Sequence, residues 1–382
     1  MSKVLLVDTN FSSAPIYDRL VRLGNEVHVV GANPEDCLAK VSHNYWNLDY
    51  SDTQSLSALI KREGFDFIVP GCTDRSYESC SIVSNGKYPG IESNEVDQLI
   101  NNKAAFRSLA GKLNLPIPQV QEYEADSLTW PIIVKPVDSF SGKGITALIS
   151  QNKSKLKAAI DKARAVSESG KFLIEEYVPG SLYSHSAFLQ SGKVMQEFIV
   201  QENSTVNQFV VDTSRVVFDP PVNLLVPIRE SVEKIARELA LKDGLLHTQF
   251  VYDGDRVWLI EITRRCPGDL YSQLIELSTG FEYVQEYLRP FLNLPAAQSP
   301  TRRFQSQIMR HTVTTATAQD FSHLRFKREL LIERWSPLSI VGEELKPSPA
   351  SRIAIIFAKA DSARDLDDLY ETTLKRELYE IC

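Results

Sequence analysis

The sequence predicts a mixed fold of the α/β (α+β) class, on three observations. The chain opens strand, helix, strand: KVLLVD at residues 3–8, a helical pattern from Ala14 to Leu23, then a strand from Glu26 to Val30. Its middle carries strands in antiparallel pairs, one of them turning at Asp253-Gly254, a favoured hairpin dipeptide. The return strand of that pair runs on through Trp258 to Asp269 (WLIEITRRCPGD), where an apolar run ends in two arginines and a Pro-Gly break. A length of 382 residues makes two to three domains the expectation.

Composition excludes several classes of function. A net charge of −7 argues against a general nucleic-acid binder. The five cysteines (Cys37, Cys72, Cys80, Cys266 and Cys382) are odd in number and lack C-x-x-C spacing. A disulfide scaffold and a zinc ribbon are therefore not expected, and a cytoplasmic location is. The apolar run after Met1 is too short for a signal segment, and no apolar run reaches membrane-spanning length.

In the opening unit Ile16, Leu20 and Leu23 fall on one helix face, which Gly24-Asn25 closes. The turn after the first strand, Thr9 to Ser13, has no glycine for close approach to a pyrophosphate, so a dinucleotide fingerprint is missing. A helix from Thr53 to Glu63 and a strand from Phe65 to Pro70 continue the alternation. Gly71 to Arg75 then falls at the carboxyl end of a parallel sheet, where ligands bind. There Asp74 and Arg75 either touch a substrate or cap the next helix. Asn94 to Leu115 reads as one helical stretch containing Lys103, closed by Pro116 and Pro118, with a boundary near residue 95.

Trp130 to Pro136 is a strand carrying Lys135, and Ile145 to Ile149 is its return. The small-residue loop between them, Asp138 to Gly144, makes a flap whose backbone N–H groups can cradle phosphate, although the Walker pattern is absent. A helix from Lys153 to Val166 presents a lysine face to solvent. Phe172 to Pro179, Tyr183 to Leu189 and Val194 to Gln201 are strands. Ser231 to Leu241 is a helix with Val232, Ile235, Ala236 and Leu239 inward. The hairpin of Thr248 to Tyr252 and Arg256 to Ile262 sets Gln249 and Glu261 on one side, as a metal between phosphates requires. The C-terminal region reads as short strands, a strand from Arg352 to Ala358 and a helix from Ala363 to Tyr379. His311 and His323 stand alone, as core or surface histidines do. Cys266 reads as a small buried residue at a turn.

Glu261 at the end of an apolar strand is costly to bury without a cation or metal. Arg264 and Arg265 suit a planar anion. By itself, this stretch fits equally well a strand-end ion pair closed by a turn.

The order of these pieces resembles the ATP-grasp superfamily: biotin carboxylase, the carbamoyl phosphate synthetase large subunit and D-alanine–D-alanine ligase. Lys103, WPIIVKP, SFSGKG, FLIEEYVPG and HTQFVYDGDRVWLIEITRRCPG carry the likeness. It implies a Rossmann-like N-terminal domain (1–95), a two-lobed ATP-grasp domain (96–300, flexible lobe about 130–178) and a small closing domain (301–382). It implies ATP and Mg2+ as cofactors. Lys103 and Lys135 match phosphate-binding lysines, and Ser139, Ser141, Gly142, Lys143 and Gly144 match the closing loop. Glu175, Glu176, Tyr177 and Val178 match the strand that reads adenine, with Glu175 as a side-chain contact. Val251 and Ile260 match the walls of the adenine pocket. Glu261 matches a magnesium-binding glutamate, and Arg265, assisted by Arg264, matches the arginine that holds the anionic substrate or acyl phosphate.

The sequence also departs from the family. Gln249 stands where many relatives have a second glutamate, Thr263 where many have asparagine, and Leu182 where a ribose-facing glutamate is common. Gln249 and Thr263 can still offer oxygens to magnesium, with less charge. The activity implied is an ADP-forming carboxylate–amine ligase working through an acyl phosphate on small-molecule carboxylate and amine substrates, with no nucleic-acid or membrane partner. A homodimer is expected because many relatives are dimers. A bicarbonate-dependent carboxylase acting through carboxyphosphate, and a non-catalytic ATP-binding regulatory protein, are the alternatives.

Overall fold

A computed structural model describes residues 1–123, 127–139, 142–295 and 304–382. The domain boundary expected at 300/301 and the loop residue Ser141 lie outside the described residues. The fold is mixed α/β. Its N-terminal part is a four-stranded parallel sheet ordered Tyr45–Asn47, Glu26–Gly31, Lys3–Val7, Phe67–Pro70. Val4, Leu5, Leu6 and Val7 are all fully buried, which explains why this strand is apolar without alternation: helices cover both faces. Leu23, expected inward, follows the last turn of the helix Ala14–Arg22 and is exposed.

Loops at the carboxyl ends of these strands are tied together by Asp8. Its carboxylate accepts bonds from Ser13 Oγ at 2.6 Å, Asn10 N at 3.0 Å and Cys72 N at 3.2 Å. Gly71 is required there, since a Cβ would lie 2.2 Å from Asp8 Cβ.

The stretch expected to be one helix from 94 to 115 is two, Asn94–Asn101 and Lys103–Lys112. Asn102 leaves the helical conformation, and its Oδ1 accepts from Ala104 N and Ala105 N, both at 3.1 Å, capping the second helix. Lys103 thereby becomes the first residue of a helix, with its own N–H on Val137 O.

A four-stranded antiparallel sheet follows, ordered Val120–Gln121, Phe172–Glu176, Ile132–Pro136, Thr146–Leu148. The helix Lys153–Val166 buries Leu156, Ala159, Ile160 and Ala163 in that region's core and leaves its lysines in water. The third main element is an eight-stranded antiparallel sheet. Its order is Val257–Thr263, Gly244–Tyr252, Ser181–Gln190, Lys193–Asn203, Thr213–Val217, Gln307–Val313, Ala354–Ala360, Leu331–Pro337. Because Thr213–Val217 pairs with Gln307–Val313, one sheet runs through both the central and the C-terminal segments.

Two helix limits differ from expectation. The helix expected from 231 spans Val222–Glu238, with Pro227 inside it. Burial of Leu224 and Ile228 offsets the backbone bond that proline removes. The helix expected to reach Tyr379 stops at Leu374, and Tyr379–Ile381 pairs instead with Leu324–Phe326. Arg376, in the left-handed region at φ 61°, ends that helix. No helix among the described residues is long and apolar enough to cross a membrane.

Asp97, in the helix Asn94–Asn101, is fully buried. It accepts from Asn101 Nδ2 at 2.6 Å, while Oδ2 has no partner among the described residues. Burial, then the charges of Glu78 and Asp74, push its carboxyl from 3.8 up to about 8. A raised carboxyl favours the fold while it stays neutral. That stability is complete below the ordinary value and is lost as pH rises through the folded value. Asp97→Asn cannot ionise. Thermal unfolding should therefore show the variant gaining on the wild type between about pH 4 and about pH 8, with no further gain above that. A difference independent of pH would count against a neutral Asp97.

Candidate active site

The hairpin of Gly244–Tyr252 and Val257–Thr263 is pinned at its turn by Asp253, which accepts from Asp255 N, Arg256 N and Trp258 Nε1. In its register Gln249 faces Glu261, but Phe250 faces Leu259. Ile260 is thus the extra residue of a bulge, the device that re-aims side chains beside functional sites. Phe250 and Leu259 are fully buried, while Val251 and Ile260 are half-buried and Glu261 is exposed. Gly180 crosses this hairpin so closely that a Cβ would lie 2.6 Å from Val251 Cγ1. That contact brings the segment ending at Val178 against the hairpin. Within the segment Glu176 N and Tyr177 N are spent on Gln119 O and Pro131 O.

Lys135 lies in the strand Ile132–Pro136, beside the strand carrying Glu175. Glu175 binds Arg107 Nε at 2.6 Å and Arg107 Nη2 at 3.4 Å, and it is ion-paired with Lys135. All three side chains are at most 4% exposed. Burial pushes the Lys135 ammonium down to about 8 against the pull of Glu175. Burial also pushes Glu175 up, but Lys135 and Arg107 outweigh it and hold the carboxyl low. Both Glu175 oxygens therefore serve internal cations, and Lys135 is fixed by its own neighbour.

Lys103 Nζ donates to Ser139 O at 2.8 Å, at the start of the small-residue loop, and Ser139 Oγ donates to Lys143 O. Gly142 has φ 69°, and a Cβ on it would lie 2.4 Å from Phe209 O. The loop thus rests on a segment after the strand Lys193–Asn203 in a position that only glycine allows. Lys143 is exposed and Gly144 buried.

The two arginines part company. Arg265 makes a bidentate pair with Asp74, Nε–Oδ1 2.6 Å and Nη2–Oδ2 3.1 Å. Asp74 stands in the first turn of the helix Asp74–Ser84, capped by Thr73, and Arg75 pairs with Glu168 on the surface. Arg264 turns the other way. Its Nη2 donates to Lys242 O at 2.8 Å and Asp243 O at 3.2 Å and pairs with Glu92 at 3.2 Å, with 2% of its side chain exposed. The structure brings Arg265 to the site and gives Arg264 to the packing behind it, as alternation along an extended chain requires. Thr263 Oγ1 reaches Asp74 Oδ1 at 3.5 Å and accepts from Arg265 N at 3.3 Å.

Besides Arg107 and Glu92, two charged groups here escaped the sequence reading. Glu202 is 4% exposed and accepts from Ser184 Oγ at 3.0 Å and Gln249 Nε2 at 2.8 Å. Burial, only partly opposed by Arg310, pushes its carboxyl up to about 7. Arg310, also buried, donates to Asp269 O and Ser214 Oγ, both at 2.8 Å. A signal existed: Phe198, Val200 and Glu202 alternate inward, so period-two reading puts Glu202 with the core. Burial likewise pushes the His247 imidazole down to about 3, so it is neutral.

A hard cation fits this donor set. Among the described residues neither the Glu261 carboxylate nor Gln249 Oε1 has a hydrogen-bond or ion-pair partner. No group of three or more His, Cys, Asp or Glu among those residues could hold a metal unaided. One carboxylate and one amide oxygen suit magnesium that keeps water and phosphate oxygens as its other ligands.

Residues 128–273 match the ATP-grasp domain family. A formate-dependent phosphoribosylglycinamide formyltransferase of Paraburkholderia xenovorans is 28% identical over 322 residues, 78% of this chain and 77% of that one. A phosphoribosylamine–glycine ligase of Pyrococcus horikoshii is 25% identical over 330 residues, 76% and 74% of the two chains. Among solved structures, an L-amino acid ligase from Bacillus licheniformis superposes with TM-score 0.82 at 16% identity, covering 100% of this chain and 98% of that one. The biotin carboxylase domain of Hydrogenobacter thermophilus 2-oxoglutarate carboxylase, solved with MgADP and bicarbonate, gives 0.76 at 17%, covering 100% and 90%. Residues 128–273 of this chain thus carry an ATP-grasp domain.

The Glu175 cluster generates a prediction of its own. Glu175→Ala leaves two buried cations without their counter-charge, so unfolding in denaturant should show a loss of about 3–5 kcal/mol. A loss below about 1 kcal/mol would mean that water already reaches the cluster.

Proposed function

We propose that the protein is an ATP-dependent, ADP-forming ligase that joins a small carboxylate to an amine through an acyl phosphate. The observation that carries this reading is the Glu261 carboxylate facing Gln249 Oε1, both without a partner among the described residues, with Arg265 held four residues on. A carboxylate, an amide oxygen and a guanidinium at one strand end suit a nucleotide's metal and an anionic co-substrate together. The relatives named as formyltransferase and glycine ligase support a ligase of this type.

Lys103, Lys135 and the loop from Ser139 to Gly144 would hold the triphosphate. Val251, Ile260 and the backbone from Glu176 to Val178 would hold the base. Glu261 and the Gln249 amide oxygen would hold magnesium, which when bound neutralises phosphate charge. Arg265 would orient the substrate carboxylate so that one oxygen attacks the γ-phosphorus in line as ADP departs. The amine nitrogen would then attack the acyl carbon, releasing phosphate and losing a proton. Loop closure over the phosphates would keep water from the anhydride. Residues 1–95 would complete the substrate site through Asp74, which already orients Arg265. No side chain need act as a covalent nucleophile, and burial raises the Cys266 thiol well above its ordinary value, away from reactivity.

ADP release with ATP and magnesium, screened over pooled carboxylates and amines with and without bicarbonate, tests the reading. Release requiring one acid and one amine is expected, and release requiring bicarbonate alone would favour carboxylation. Glu261→Ala should cut that rate by roughly a hundredfold or more. Arg265→Ala should raise the KM for the acid more than that for ATP. Equal loss on both substrates would remove Arg265 from carboxylate recognition.

A further inference from the structure

Glu202 lies outside every motif that the family likeness rests on, yet it touches the site directly. It comes from the middle of the eight-stranded sheet, two strands away from Gln249. One of its oxygens receives Ser184 Oγ and the other receives Gln249 Nε2. An amide has one donor end and one acceptor end. Fixing Nε2 on Glu202 leaves Oε1 as the end that faces elsewhere, and Oε1 has no protein partner among the described residues. Glu261 stands directly across the hairpin and is close enough for its charge to be felt at Glu202.

We propose that Glu202 is a positioning residue for the metal: it holds the Gln249 amide so that Oε1 is presented beside Glu261, and it supplies the second negative charge that residue 249 itself lacks. The inference rests on the reading of Glu261 as a magnesium ligand. Glu202 acts through the amide, as the carboxylate behind a metal-bound histidine acts through the ring. Its charge polarises Gln249 and makes Oε1 a better donor to a hard cation. The substitution of glutamine for glutamate then moves the charge back by one side chain and does not delete it. Ser184 fixes the other oxygen and is itself bonded to the buried Tyr271 hydroxyl, so Glu202 is held from both ends.

The test is a titration of the full chain with Mn2+ in the presence of ADP, followed by electron paramagnetic resonance. It uses the wild type, Glu202→Ala, Gln249→Glu and the double variant, with thermal unfolding to verify folding. Glu202→Ala should weaken Mn2+ binding by roughly 10–100-fold while leaving metal-free ADP affinity unchanged. Gln249→Glu alone sets two carboxylates against each other at the 2.8 Å contact and should lower the melting temperature. The double variant, with its single carboxylate now at residue 249, should bind Mn2+ more tightly than Glu202→Ala. A residue that merely filled space would leave Mn2+ affinity unchanged in Glu202→Ala.

If Glu202→Ala does not fold, Glu202→Gln replaces it. That variant keeps an oxygen for Gln249 Nε2 but loses the charge, and it should show the same weakening and the same rescue. Wild-type Mn2+ affinity in the single variant, or a folded double variant no tighter than the single, overturns the proposal for Glu202 alone. A wild type that binds ADP but no Mn2+ overturns the metal reading of Glu261 and this proposal with it.

Discussion

The Arg265–Asp74 pair is the contact on which the site depends. Its partners are 191 residues apart, and it joins the end of the site hairpin to a helix N-terminus of the parallel sheet. Two further ties run beside it: Arg264 to Glu92, and Asp269 N to Ser12 Oγ. These three bonds fix the orientation of the turn after Glu261. A bidentate guanidinium–carboxylate pair allows little freedom of angle, so Arg265 is aimed before any ligand arrives. Such aim lowers the ordering cost that a substrate carboxylate would otherwise meet.

The same logic governs the other cations of the site. Lys135 would be expensive to bury alone, and Glu175 makes its burial tolerable. Arg107 then keeps Glu175 ionised with two cations beside it. The cluster carries a net positive charge in a dry place, near the loop proposed to hold phosphate. Incoming phosphate would complete the neutralisation, so binding and internal electrostatics favour each other.

The sequence reveals the site where local pattern controls geometry. Asp253-Gly254 sets the hairpin, and the hairpin sets Gln249 across from Glu261. The sequence is less informative where partners are distant. Glu175 looks like part of a nucleotide-reading strand, but its cations arrive from residues 107 and 135. Asn102 could continue a helix or cap one, and what favours the cap is the Val137 carbonyl that takes the Lys103 N–H. Arg264 and Arg265 are adjacent and chemically alike, and only the placement of Glu92 and Asp74 separates a packing role from a site role. Pro227 hid the true start of a helix because local propensity there opposes the burial that wins.

On the proposed metal reading, glutamine and threonine at 249 and 263 are not bare losses of a ligand. Thr263 gives its hydroxyl toward Asp74 and receives the Arg265 N–H, so it stiffens the pair that aims Arg265. Gln249 bridges Glu202 to the face that Glu261 occupies. Each departure would then replace a direct contact with a hydrogen-bonded relay to a carboxylate behind it, Asp74 in one case and Glu202 in the other. A relay keeps the sign of the field at the strand end while moving full charges into the protein. There burial and hydrogen bonds hold their geometry more firmly than water would. The chemistry such a site can perform depends on those two carboxylates as much as on the side chains that face the cleft.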